Sequence, residues 1–153
     1  MAKEKFSSML TVSDLFDDDT LAVTAGKWAR VGEYEVAKGE EVAIGFGQYD
    51  DQERAVGRLY AKLMDDTDPA VEEAGLLRLS VYSPADRPLK ILWEGRTNVA
   101  GASTTRSEQI ALPENAVNVR EDQKIVLEFK PDSSDTIVKA DSTILIDVTK
   151  YVI

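Results

Sequence analysis

Alternation of apolar and polar residues, the period of a β-strand, recurs along this chain and is the feature that most constrains its fold. In the segment 77–81, leucine and valine alternate with other residues, and the same pattern returns in the segments 89–93, 125–129 and 144–148. Turn-forming residues separate these segments, and no long stretch has the 3.6-residue period of an amphipathic helix. The sequence therefore predicts an all-β protein with seven or eight strands.

Alternation on a single face predicts antiparallel sheets, each with one buried face and one solvent-facing face. Two such sheets packed face to face form a sandwich. We therefore expect residues 25–153 to form one antiparallel two-sheet β-sandwich domain, a single jelly roll of about eight strands. An immunoglobulin-like sandwich is the alternative, and the absence of its paired cysteines disfavours it. The residues expected to face the core are Val42, Ile44, Leu77, Leu79, Val81, Ile91, Trp93, Ile125, Leu127, Phe129, Ile144, Ile146 and Val148.

The first 24 residues have the least regular pattern in the chain. We expect residues 1–24 to form an N-terminal arm outside the core, with at most one short helix capped by Ser13. The segment that follows should turn at Lys38–Gly39, either as a hairpin or as a sharp corner. The apolar end of the chain, Tyr151–Ile153, is expected to be tied into a sheet.

The composition removes several kinds of chemistry. Among its 153 residues the chain has no cysteine and no histidine, which excludes disulfides, thiol nucleophiles and the commonest general base. The 28 acidic residues outnumber the 18 basic ones, which are dispersed, so nucleic-acid binding is not expected. No apolar run approaches the length of a membrane span, so membrane insertion is not expected either. The sequence predicts a protein that is not an enzyme, with no catalytic residues, no metal and no cofactor.

Two acidic groups are the candidates for cation binding: Asp17–Asp19 and Asp65–Asp68. Calcium takes six to eight oxygen ligands, but the glycine and glutamate positions of an EF-hand are absent. A solvated acidic loop is the favoured interpretation, and a structural ion at a subunit contact is the alternative. The loop Asp65–Glu73 and the N-terminal arm are the expected contact segments.

Other candidate sites have weaker patterns. Ser103–Thr105 lacks the flanking glycines of a nucleophile elbow, and Gly45–Gly47 lacks the spacing of a phosphate-binding loop. Trp28, Trp93 and Tyr34 could together form a platform on which a sugar stacks, although Trp93 shares the apolar face of its predicted strand. A carbohydrate- or ligand-binding β-sandwich module is therefore the alternative function.

Three segments carry a resemblance to a known family: Tyr34–Gly47, Leu89–Thr97 and Ser142–Thr149. From Lys27 onward the chain resembles small jelly-roll structural proteins of prokaryotic, especially archaeal, icosahedral viruses. The resemblance implies a capsid, turret or decoration protein that forms symmetric homo-oligomers and contacts other virion proteins without a cofactor. It also implies synthesis in the host cytoplasm and a final location in the virion.

Overall fold

The computed structural model describes residues 4–44, 48–49, 55–96, 106–110 and 117–152. Within these ranges no helix has the length and apolar character needed to cross a membrane. One short helix, α1 (Val12–Leu15), and one 3₁₀ turn (Lys139–Asp141) accompany the strands. The strands are β1 (Glu4–Thr11), β2 (Thr20–Val23), β3 (Ala29–Glu35), β4 (Glu40–Ile44), β5 (Gln48–Tyr49), β6 (Ala55–Lys62), β7 (Gly75–Tyr82), β8 (Pro88–Arg96), β9 (Arg106–Ile110), β10 (Val117–Val119), β11 (Lys124–Pro131), β12 (Asp135–Val138) and β13 (Thr143–Val152).

Two antiparallel sheets form a sandwich. Strands β1, β4, β5, β6, β9, β10 and β13 make a seven-stranded sheet, and a four-stranded sheet has the order β3-β11-β7-β8. Strands β2 and β12 form a separate two-stranded ribbon. The predicted all-β, antiparallel sandwich is confirmed. The count exceeds the expected eight strands because several are short, such as β5 and β10.

Strand β13 is central to the larger sheet. On one side it pairs with all of β1, and on the other with β4 near its end and with β6 near its start. Strands β3 and β4 belong to different sheets, so the turn at Lys38–Gly39 is the corner rather than the hairpin of the two expected options. Gly39 has a φ of +80° there, which glycine adopts without steric cost.

Residues 4–16 are built into the sandwich, so the prediction of an arm outside the core is wrong for them. Strand β1 pairs with β13 over its whole length, and Leu10, Leu15 and Phe16 are fully buried. The two serines of β1 and the adjacent Met9 and Leu10 obscure the alternation that identifies the other strands. Strand β1 is instead defined by its pairing with β13, about 140 residues further along the chain.

Helix α1 lies against β3. Its N-cap is Thr11 rather than the expected Ser13, and the Thr11 backbone N–H donates to Asp14 Oδ2 at 2.9 Å. At Gly32 an added Cβ would lie 2.4 Å from the backbone carbonyl carbon and oxygen of Leu15. Glycine in β3 therefore permits the close approach that places Leu15 in the core.

The core lies between the two large sheets, and eleven of the thirteen residues expected there are buried. Ile91 is instead 53% exposed, and Trp93 is half-buried against the core. Trp93 pairs with Leu79 and Ile91 with Ser80, so a bulge at Leu92 interrupts the alternation of β8. The bulge directs Ile91 to the outer face of the sheet, and the prediction that it faces the core is wrong.

Candidate functional site

Three carboxyl groups from separate parts of the chain meet beside β12. Asp65, Glu73 and Asp135 each bring one oxygen to within 4.8 Å of the others. Asp65 is 5% exposed and Glu73 is 7% exposed, and Asp135 is half-buried. The loop between β6 and β7 folds back on itself, because the Glu73 N–H donates to the Leu63 carbonyl at 2.8 Å. A single bridge from Asp65 to Ile137 fixes this loop against β12.

Asp65 organises the loop through its side chain. Its Oδ1 accepts hydrogen bonds from the Thr67 hydroxyl at 2.6 Å, the Thr67 N–H at 3.1 Å and the Val71 N–H at 2.8 Å. Burial acts to raise the pKa of Asp65, but these hydrogen bonds and one from Glu73 outweigh it and hold the pKa below its ordinary value. Asp65 is therefore an ionised carboxylate that holds the loop in one conformation.

Glu73 has the opposite character. Burial, followed by hydrogen bonding to Asp135 and repulsion from that carboxylate and from Asp65, raises the pKa of Glu73 to about 8. Glu73 is thus protonated at neutral pH and can donate to its neighbours. One oxygen from each of the three carboxyl groups lies within 4.8 Å of the others, and calcium takes six to eight oxygen ligands in all. Asp65 Oδ1 already accepts three hydrogen bonds. The arrangement is therefore better suited to hold the loop against β12 through a proton shared between carboxyl groups than to bind calcium.

The acidic groups identified in the sequence are only partly solvated. Asp66, Asp68 and Asp17–Asp19 are exposed, as a solvated loop requires, but Asp65 is buried. The participation of Asp135 has no signal in the sequence, because Asp135 lies 62 positions after Glu73. Only the docking of the loop on β12 brings the two together.

The outer face of the four-stranded sheet, which we call the charged face, carries a network of aromatic and charged side chains. The Arg78 guanidinium lies 4.0 Å from the centre of the Trp28 ring and pairs with Glu128 at 3.2 Å. The Tyr82 hydroxyl also donates to Glu128 at 3.2 Å. Glu128 is buried, and these two donors compensate the removal of its charge from water.

The charged face continues toward the turn between β7 and β8. Arg30 lies 4.8 Å from the centre of the Tyr82 ring and pairs with Asp86 at 2.8 Å. The hydrogen bond from Arg30 holds the pKa of Asp86 below its ordinary value. Val126 and Ser80 share this face by register, yet both are buried. The centre of the charged face is therefore not accessible to solvent.

The three aromatic residues considered as a sugar platform lie apart. Trp28 is on the charged face beneath a guanidinium group, whereas Trp93 packs against the core. Tyr34 also packs against the core, where its hydroxyl donates to Glu40 at 2.6 Å and Lys150 lies 5.1 Å from its ring centre. They do not form one platform.

The two remaining motifs, Gly45–Gly47 and Ser103–Thr105, lie outside the described residues. An open groove of about 430 Å³ runs beside β2 and the 3₁₀ turn. Its lining combines the apolar Val12, Val138 and Ala140 with two hydroxyl residues and two charged ones, Thr20, Ser142, Asp19 and Lys139.

Comparison with known proteins relates the fold to viral capsids. No family model matches the chain, and the search of curated proteins found no match. Among solved structures, VP17, a capsid protein of bacteriophage P23-77, is 10% identical with a TM-score of 0.56, covering 100% of this chain and 99% of that chain. The VP16–VP17 complex of the two major capsid proteins of the same bacteriophage is 11% identical with a TM-score of 0.60, covering 98% and 100%. The chain therefore has, from end to end, the jelly-roll fold of these capsid proteins.

Proposed function

We propose that this chain is a structural subunit of an icosahedral virus capsid that acts through protein–protein contacts and has no catalytic role. The observation that carries the proposal is the correspondence of whole chains, since the match covers 100% of this chain and 99% of VP17. The similarity therefore extends over the length of both chains rather than over one part of either.

The structure suits a repeated, rigid unit. Strand β13 is paired on both sides, and the charged face is fixed by its own ion pairs and ring contacts. The net charge of −10 limits nonspecific association of a protein present in many copies. A closed shell is built by repeating one subunit through symmetric contacts, so a second copy of this chain is the first expected partner.

A second virion protein is the other expected partner. VP17 occurs in a complex with VP16, the other major capsid protein of its bacteriophage. By analogy, this chain would form part of a two-protein coat. A turret or decoration role, in an archaeal or a bacterial virus, would change which neighbours it contacts but not the fold. The carbohydrate-binding alternative has less support, because its three aromatic residues do not form a platform.

The test is the presence of this chain in purified virus particles. An antibody raised against the chain should follow particles through a density gradient and label their surface or shell in electron micrographs. Quantitative mass spectrometry should find it in many copies per particle, as a coat subunit requires. A chain absent from the particles would refute the proposal. If that chain were monomeric and gave a specific signal on a glycan array, the sugar-binding alternative would be favoured instead.

A further inference from the structure

Two exposed apolar sites on this molecule have opposite charges around them. Leu89 and Ile91 on β8 are each 53% exposed and are flanked by exposed Arg87 and Lys90. We call residues 87–91 the basic edge. Its two apolar side chains and two positive charges follow one another along the outer strand of the four-stranded sheet, on a protein whose net charge is −10.

The acidic loop, residues 66–71, has the complementary composition. Val71 is 56% exposed, and Asp66 and Asp68 in the same loop are exposed as well. The loop is already ordered in the single subunit, because the Asp65 carboxylate accepts hydrogen bonds from Thr67 and Val71. A preorganised loop loses little conformational entropy on docking.

The basic edge makes its contacts through side chains rather than through strand addition. Strand β8 is the outer strand of its sheet, but its pairing shifts at two places and it begins with Pro88. Bulges, proline and lysine are the features that protect a sheet edge from pairing with another strand. The part of β8 that a partner can contact is therefore the apolar surface of Leu89 and Ile91, together with the charged residues beside it.

The two surfaces cannot meet within one molecule. The acidic loop precedes Gly75 at the start of β7, whereas Ile91 lies beside Ser80 near the other end of that strand. Ser80 lies five positions after Gly75 along the strand, a distance of roughly 17 Å. Any contact between the basic edge and the acidic loop therefore joins two molecules.

We infer that the basic edge of one copy docks on the acidic loop of a second copy, in a head-to-tail contact. The inference rests on the proposed function, and it names the surfaces through which a shell subunit meets its neighbour. A contact between two different surfaces repeats around an axis and closes into a ring when the rotation permits. Each contact is small and weak, and the many copies in a shell supply the total stability.

The first test is the concentration dependence of backbone amide shifts in ¹⁵N-labelled protein. As the concentration rises to about 1 mM, where contacts with a millimolar Kd are half-populated, shifts should change at the basic edge and at the acidic loop together. Added salt should reverse them, because exposed charges are screened. Unchanged shifts, or changes at the basic edge alone, would overturn the head-to-tail contact.

The second test is charge reversal. Lys90→Glu and Asp66→Lys should each weaken self-association about tenfold in sedimentation velocity, and the double variant should restore it. Lys38→Glu, an equal change of charge at an exposed corner, is the matched control and should have little effect. Because these side chains are exposed, all variants should keep the wild-type melting temperature. A double variant that associates no better than either single variant would refute the pairing.

The two proposals can fail independently. A chain that is present in virus particles, but whose Lys90→Glu variant associates normally, would retain its capsid role and lose this contact. A chain that shows the head-to-tail contact in solution, but is absent from particles, would lose the capsid role and retain the contact.

Discussion

Strand β1 offers a matched pair of substitutions that separates a core strand from a dispensable arm. Leu10 and Met9 are neighbours in β1, but Leu10 is fully buried whereas Met9 is 42% exposed. Leu10 pairs with Ile146, a residue of the core, and Met9 pairs with Asp147 on the opposite face. Leu10→Ala and Met9→Ala remove side chains of similar size from the same strand, so their difference measures the contribution of burial.

The magnitudes follow from the exposed fractions. A buried leucine truncated to alanine costs about 2–5 kcal/mol of unfolding free energy, which combines lost transfer energy with the cavity left behind. Full burial of a methionine contributes about 1.5–3 kcal/mol, and Met9 is buried over little more than half its surface. Met9→Ala should therefore cost about 1 kcal/mol, and Leu10→Ala roughly three times as much.

Urea unfolding followed by circular dichroism is the assay. With a slope of about 2.5 kcal/mol per molar urea, Leu10→Ala should lower the midpoint by more than about 1 M and Met9→Ala by less than about 0.5 M. Equal slopes in the two variants would show that the same structure unfolds. If Leu10→Ala moves the midpoint no further than Met9→Ala, the N-terminal strand is not part of the cooperative fold.

Three further predictions test other features. Gly32→Ala should destabilise the fold by about 1–3 kcal/mol in thermal unfolding, since its Cβ would meet the backbone of α1, and an unchanged melting temperature would show that α1 lies elsewhere. Folding raises the pKa of Glu73 from 4.5 to about 8, chiefly through burial. Between these two values the folded state retains a proton that the unfolded state releases. The stability that Glu73 contributes therefore falls as the pH rises through this range. Glu73→Gln, which cannot ionise, should therefore melt at increasingly higher temperature than the wild type between about pH 5 and pH 9, and parallel curves would contradict the assignment. Arg78→Ala should cost about 1–3 kcal/mol and change the fluorescence of Trp28, because it removes a stacked cation and a donor to buried Glu128, whereas an unaltered spectrum would place Arg78 away from the ring.

The sequence predicted the parts of the fold that local periodicity encodes. Strands such as β7 and β11 alternate without interruption, so their register could be assigned and their inward residues are buried. Strand β8 alternates equally well in the sequence, but the bulge at Leu92 shifts Ile91 outward. A bulge arises from pairing with a neighbour, and pairing is not encoded in the strand alone.

The features of the fold and of the carboxyl cluster that the sequence did not predict depend on contacts between distant segments. Strand β1 has a weak pattern and is defined by β13 at the other end of the chain. The carboxyl cluster could be predicted only in part, since Asp65 stood out in an acidic run whereas Asp135 did not. The acidic composition predicted a solvated loop. The burial of Glu73 depends on the contact between this loop and β12, which the local sequence does not encode.

The pairing of β1 with β13 has a consequence for how the protein is made. Ser8 pairs with Val148, 140 positions further along the chain. At a synthesis rate of about 5–20 residues per second, roughly 7–28 seconds pass between the translation of these two partners. During that interval β1 is a strand without its neighbour, and Leu10 and Phe16 have no completed core to enter. Folding of the larger sheet is thus a late event in synthesis, and until then the negative charge of the chain opposes its association with other copies.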